Sequence, residues 1–219
     1  MTAPKLLDLF CCQGGAAAGY ARAGFDVTGV DIVAQPRYPH RFVQADALDY
    51  LAEYGHRFDV IHASPPCQRY STMTADPDQH PDLIGPTRAA LIANGRPWVI
   101  ENVAGAAGEL HQPLTLCGSM FGLGVRRHRL FESPVFMYAP ACAHGTTIPV
   151  GVYGDHAEYV ETPRRPSGTS RGAKAKTAAL ASAALGGVDW MDWHGMRECI
   201  PPVYAEHLGH QLVDHLAWV

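Results

Sequence analysis

Five short apolar runs, spaced by turns and helix-forming stretches, constrain this chain more than any other feature. Lys5-Leu6-Leu7-Asp8-Leu9-Phe10 has the character of a buried parallel strand and breaks into Cys11-Cys12-Gln13-Gly14-Gly15. The Ala-rich stretch from Ala16 to Ala23 favours a helix, which Gly24 ends. A second run, Phe25 to Val30, reaches Asp31, and a third, Arg41 to Gln44, precedes Asp46 and a helix over Ala47 to Tyr54. The fourth run, Phe58 to Ala63, meets Ser64-Pro65-Pro66-Cys67-Gln68; the fifth, Trp98 to Asn102, follows a helix with Pro86 near its start and Asn94-Gly95 at its end. Strands alternating with helices predict an α/β fold, a mostly parallel sheet with helices on both faces.

In such a sheet the carboxyl ends of the strands share one rim, where ligands bind. The Gly14-Gly15 turn, Asp31, Cys67 and Glu101 all fall at such ends. A strand, a glycine turn and a helix start bring backbone N–H groups close to a ligand. An acid about twenty residues on is where nucleotide-binding folds hold ribose hydroxyls. Asp46 reads equally as a helix cap. Two prolines stop a strand abruptly, since proline lacks an N–H and fixes φ, so Cys67 is presented on a stiff loop. Alone, such a thiol reads as a buried structural cysteine; convergence on the rim makes it a candidate reactive one.

At 219 residues the chain suits one good-sized domain. The six cysteines form no C-x-x-C pair, and Cys11 and Cys12 are adjacent, which fits a reducing cytoplasm better than a disulfide framework. Met1 to Lys5 leads into a strand without a charged-then-apolar leader, and no apolar run approaches the ~18 residues of a membrane span, so neither secretion nor membrane insertion is expected. The net charge of −4 argues against a wholly basic nucleic-acid binder. Yet Arg164, Arg165, Arg171, Lys174 and Lys176 lie in a stretch without acidic residues. It reads either as a solvated loop or as a phosphate-contacting segment.

Beyond Leu110 the pattern loosens before Arg126-Arg127-His128-Arg129, whose alternation places Arg127 and Arg129 on one strand face. Cys142, His144 and His156 sketch a metal site, but no second ligand pair has suitable spacing, and no metal is expected. Ile200-Pro201-Pro202-Val203 leads into an amphipathic helix from Tyr204 to Trp218 suited to packing on the sheet.

Asp8-Leu9-Phe10, Gly14-Gly15 with Gly19, Asp31, Asp46, Pro65-Pro66-Cys67-Gln68 with Tyr70-Ser71, Glu101-Asn102-Val103, and Arg127-x-Arg129-Leu130-Phe131 together resemble the ordered motifs of the cytosine-5 DNA methyltransferase family. The resemblance covers residues 5 to about 131 and resumes loosely near 197–209. Pro-Cys-Gln followed about thirty residues later by Glu-Asn-Val is its specific part, and the stretch from Met73 to Pro86 is similar to short, phage-encoded members. It implies a class I S-adenosylmethionine-dependent methyltransferase fold of Rossmann-like type. Phe10 would face the adenine, the turn of Cys12, Gly14 and Gly15 would approach the methionine moiety, and Asp31 with Ile32 would hold the ribose. Asp46 with Ala47 would take the adenine amino group, and Pro66 would line the pocket. Cys67 would be the nucleophile toward carbon 6 of a flipped cytosine, Glu101 the acid at N3, and Arg129 beside Arg127 the partner of O2. Gln68, Ser71 and the basic segment would contact DNA.

The chain departs from that family at Cys12, which replaces the first turn glycine, and at Val125, which replaces a glutamine. Arg197-Glu198 stands where the family has Gly-Asn. The expected organisation is a catalytic and cofactor-binding core over 1–140, a reduced recognition region over 141–196 and a returning C-terminal helix over 197–219. So short a middle region leaves sequence recognition to the basic segment or to a partner. The same chemistry on RNA, and a silent cofactor- or DNA-binding subunit, are the competing readings.

Overall fold

The structure, a computed structural model, describes residues 2–71, 74–146, 148–154 and 173–218. Met73, His156, Arg164, Arg165, Arg171 and the side chain of Lys174 lie outside the described residues. The alternation read from the sequence is present: β1 (Lys5–Leu9), α1 (Gly15–Arg22), β2 (Asp26–Asp31), β3 (Arg41–Gln44), α2 (Ala47–Tyr54), β4 (Val60–Ala63), α3 (Ile84–Asn94) and β5 (Trp98–Val103). There follow β6 (Leu114–Leu116), β7 (Arg129–Glu132), the short pair β8 (Val150–Gly151) and β9 (Ala173–Lys174), α4 (Ala178–Ala184), α5 (Trp193–Glu198) and α6 (Pro202–Trp218).

The main sheet has the order β3-β2-β1-β4-β5-β7-β6. The first five strands are parallel, and β7 runs antiparallel to both β5 and β6. The strands of the parallel centre are buried on both faces, which explains their continuous rather than alternating apolar character. On one face Leu6, Val60, Val99 and Phe131 pack with Tyr20 of α1 and with Tyr204, Leu208 and Leu212 of α6. On the other, Leu7, Leu9, Ile61 and Ile100 meet Leu51 of α2 and Leu91 of α3. A third, smaller cluster joins Val152, Ala181, Leu185, Val188 and Met196 to Val125 and Cys199.

The C-terminal helix begins at Pro202 and reaches the sheet beside α1. Contact between the two helices is close because Gly19 has no side chain: a Cβ there would collide with the Pro202 carbonyl oxygen and sit 2.7 Å from the Glu206 nitrogen. Strand β7 starts only at Arg129. Arg127 precedes it with φ 33°, so the expected placing of both arginines on one strand face does not occur.

Candidate active site

A cleft of about 450 Å³ opens at the carboxyl ends of β1, β2, β4 and β5, where the alternation places it. Phe10, Cys12, Gly14, Gly15, Asp31, Ile32, Asp46, Ala47 and Pro66, the residues read as a nucleoside pocket, all line it. Cys67, Gln68, Glu101 and Arg129 line it too; Arg127 and Ser71 do not.

At one end the turn after β1 is tightly folded. Phe10 and Cys12 adopt φ of 58° and 46°, and Gly14 caps α1 with φ 80°. Left-handed backbone suits glycine, which accounts for a glycine in the related pattern where this chain has Cys12. The turn is tied to β2 by Asp31, whose carboxylate accepts from the Cys12 N–H at 3.0 Å and from the Val33 N–H at 2.9 Å. Ile32 and Val33 remain 67% and 61% exposed, an apolar lip beside two carboxylates. Asp46 caps α2 as its sequence position suggests, accepting from the Leu48 and Asp49 N–H groups, and still faces the cleft.

At the other end β5 and β7 set the chemistry. Val103 lies opposite Arg129 in their antiparallel register, so Glu101, two residues back on the same face, is its diagonal neighbour. Arg129 Nε sits 3.1 Å from Glu101 Oε1, with both side chains largely shielded from water. Burial raises the Glu101 pKa above the usual carboxylate value; Arg129, a hydrogen bond from Ser64 and Arg127 oppose it. Cys67, half-buried, has its thiol pKa raised by burial and by Glu101, with Arg129 opposing.

Arg127 has a different setting. Its guanidinium donates to the carbonyl oxygens of Cys199 at 2.6 Å, Val152 at 2.8 Å and Met196 at 3.0 Å. Burial and the neighbouring Arg129 lower its pKa to about 10, so it stays charged near neutrality. The positive φ turns it away from the strand face, and it holds the C-terminal segment against the sheet.

Several supporting groups have no local sequence signal. Tyr20 Oη meets His62 Nδ1 at 3.0 Å, and His62 Nε2 meets Ser64 Oγ at 2.9 Å, placing a buried chain of polar groups behind Glu101. Burial lowers the His62 pKa to about 3, so the ring is neutral. Asn102 donates to the Pro65 carbonyl at 2.9 Å and fixes the double-proline loop. Asp8, fully buried in the cleft wall, has its pKa raised to about 7, first by burial, while Tyr38 donates to it at 3.2 Å. Gln13 exchanges hydrogen bonds with Asp192, and Met191, His194 and Gly195 from the expected recognition region, with Glu198 just beyond it, close the cleft.

Among the described residues Gln68 Oε1 is buried in the cleft wall without a hydrogen-bond partner, an exception to the pairing of buried polar atoms. Asp31, Asp46 and the exposed apolar lip together fit a nucleoside-bearing cofactor.

No family model matches the sequence. No curated protein matches it either. Solved structures do. A DNA modification methyltransferase described as putative, encoded within a prophage of E. coli, aligns over 98% of this chain and 100% of its own, with TM-score 0.62 and 15% identity. The S. pombe Dnmt2 methyltransferase aligns over 97% and 99%, with TM-score 0.62 and 12% identity. The Entamoeba histolytica methyltransferase EhMeth aligns over 99% of both, with TM-score 0.58 and 12% identity. At such identities the likeness is one of fold, and the fold is that of the class I S-adenosylmethionine-dependent methyltransferases.

Proposed function

We propose that this chain is a DNA cytosine-5 methyltransferase that uses S-adenosylmethionine. The observation that carries the reading is convergence: a cysteine after β4, a carboxylate on β5 and an arginine on β7 share one cleft with the acid that ends β2. The fold shared with a prophage-encoded DNA modification methyltransferase supports it.

The cofactor, when bound, supplies an electrophilic methyl group. Asp31 beside Ile32 would accept from the ribose hydroxyls, Asp46 from the adenine amino group, and Phe10 would face the base. In the substrate half, Cys67 as thiolate forms a bond to carbon 6 of a flipped cytosine, and the carbon 5–carbon 6 π pair becomes available at carbon 5. Charge that develops toward N3 is met by a proton from Glu101, whose raised pKa suits it to hold one. Arg129 neutralises charge at O2 and favours the thiolate. Once carbon 5 is methylated, loss of its proton returns electrons to the ring bond and expels Cys67. Arg127 orders Cys199 and the strand that carries Arg129. It acts as a positioning residue. Gln68, Ser71 and the segment bearing Arg164, Arg165, Arg171, Lys174 and Lys176 are the proposed nucleic-acid contacts.

Trapping tests this directly. The protein and S-adenosylmethionine are incubated with 5-fluorocytosine in duplex DNA, single-stranded DNA or RNA, where fluorine cannot leave as the proton does. A covalent adduct with DNA, absent in Cys67→Ser, is expected. An adduct with RNA alone would reassign the substrate, and none at all, with cofactor still bound, would overturn the enzyme reading.

A further inference from the structure

On the side of β6 and β7 away from the cleft's nucleoside end, four metal-ligating side chains meet. Cys117 directly follows β6, His128 directly precedes β7, and Cys142 and His144 come from the loop beyond β7. Their ligating atoms all lie within 4.8 Å of one another. Cys117 Sγ is 3.2 Å from His144 Nε2, and Cys142 Sγ is 3.6 Å from His128 Nε2. A tetrahedral zinc ion, with bonds of about 2.0–2.1 Å to nitrogen and about 2.3 Å to sulfur, has ligand–ligand edges of roughly 3.3–3.8 Å. These two pairs therefore already stand near the required spacing. The imidazole rings lie 80° apart at 5.1 Å, edge to face, so both Nε2 atoms turn toward the sulfurs rather than stack.

We propose that Cys117, His128, Cys142 and His144 form a structural zinc site. Two thiolates and two neutral imidazoles balance the charge of one divalent ion, and this soft and borderline donor set selects zinc over calcium or magnesium. Binding releases the two thiol protons to solvent and changes no oxidation state. Four protein ligands leave no open position, so the ion serves as a staple and not as a reaction centre. Outer contacts are in place: Ser119 Oγ lies 3.2 Å from Cys117 Sγ and accepts from the Ala143 N–H at 3.2 Å, joining both ligand-bearing segments. The sequence expectation of no metal rested on spacing along the chain. It missed the second ligand pair because Cys117 and His128 are separated by a turn and brought back only by the β6–β7 pairing. His156, grouped with the first pair in the sequence, is outside the described residues.

The ion would fix three segments where the chain has little regular structure, and His128 sits between the two arginines that order the cleft. Its test needs no turnover. The chain is expressed in zinc-supplemented medium, purified with a thiol reductant and no chelator, and assayed by plasma mass spectrometry. About one zinc per chain is expected. Replacing it with Co²⁺ should give the intense visible bands of a tetrahedral site and a thiolate-to-cobalt band in the near ultraviolet. Because Cys117 is fully buried and its loss could unfold the chain, the variants are Cys142→Ser and His144→Ala at exposed positions. Each, folded by circular dichroism, should lose the stoichiometric metal or change the cobalt spectrum. Reduced, metal-free protein that takes up neither Zn²⁺ nor Co²⁺ would overturn the proposal. So would folded variants with undiminished zinc and an unaltered spectrum.

Discussion

Glu101 and Cys67 share one electrostatic problem: burial raises both pKa values, and Arg129 opposes both rises. The proposed chemistry needs Glu101 protonated and Cys67 ionised, so rising pH favours one group and disfavours the other. Gain in thiolate with rising pH is opposed by loss of protonated Glu101. Wild-type kcat/KM is therefore expected to depend less steeply on pH than that of a variant without the acid. Glu101→Gln removes the second factor, so its rate should rise about tenfold per pH unit until the thiol ionises. Turnover near neutrality should fall by about 10² to 10⁴, the usual scale for loss of a general acid, with cofactor affinity unchanged. Parallel pH profiles in wild type and variant would remove Glu101 from proton transfer.

Helix α1 carries the glycine turn, and its seat on α6 depends on one missing side chain. Gly19→Ala puts a Cβ into the Pro202 carbonyl and the Ala205 side chain, and overpacking of this kind costs about 1–3 kcal/mol. Gly85, in the first turn of α3, is exposed and has nothing within 4 Å of a built Cβ. Gly85→Ala should stabilise by up to about 1 kcal/mol, since only the backbone entropy term remains. Urea unfolding of both variants checks the contrast, and equal signs would refute it. At this scale the sequence was most readable where a local rule acts. Asp46 caps α2, and Gly95 ends α3 with φ 77°. It was least readable at β6, α4 and α5, whose short segments draw their stability from neighbours far along the chain.

For the molecule as a whole, a net charge of −4 has to coexist with the proposed polyanionic substrate. Local concentration of positive charge resolves this, and the five cations from Arg164 to Lys176 are the proposed source. Replacing them with glutamine should weaken DNA binding and reduce the salt slope of log K by up to about 0.9 for each phosphate that is no longer neutralised. Fluorescence anisotropy over a range of salt concentrations measures it; an unchanged slope would make the stretch a passive loop. No helix among the described residues is long and apolar enough to cross a membrane.

What the sequence by itself determined is everything that rests on local chain physics. Apolar runs and proline or glycine stops defined the parallel strands, and with them the rim on which Cys67, Glu101, Asp31 and Asp46 meet. Tertiary structure alone decided three further matters. A positive φ at Arg127 sends its charge to carbonyls 25 to 72 residues away. Gln13 finds Asp192 across 179 residues and closes the cleft with a segment that reads as something else. The β6–β7 pairing joins Cys117 and His128 to Cys142 and His144. Dihedral preference and hydrophobic period act over a few residues, whereas these contacts exist only once the sheet has fixed which distant segments are neighbours.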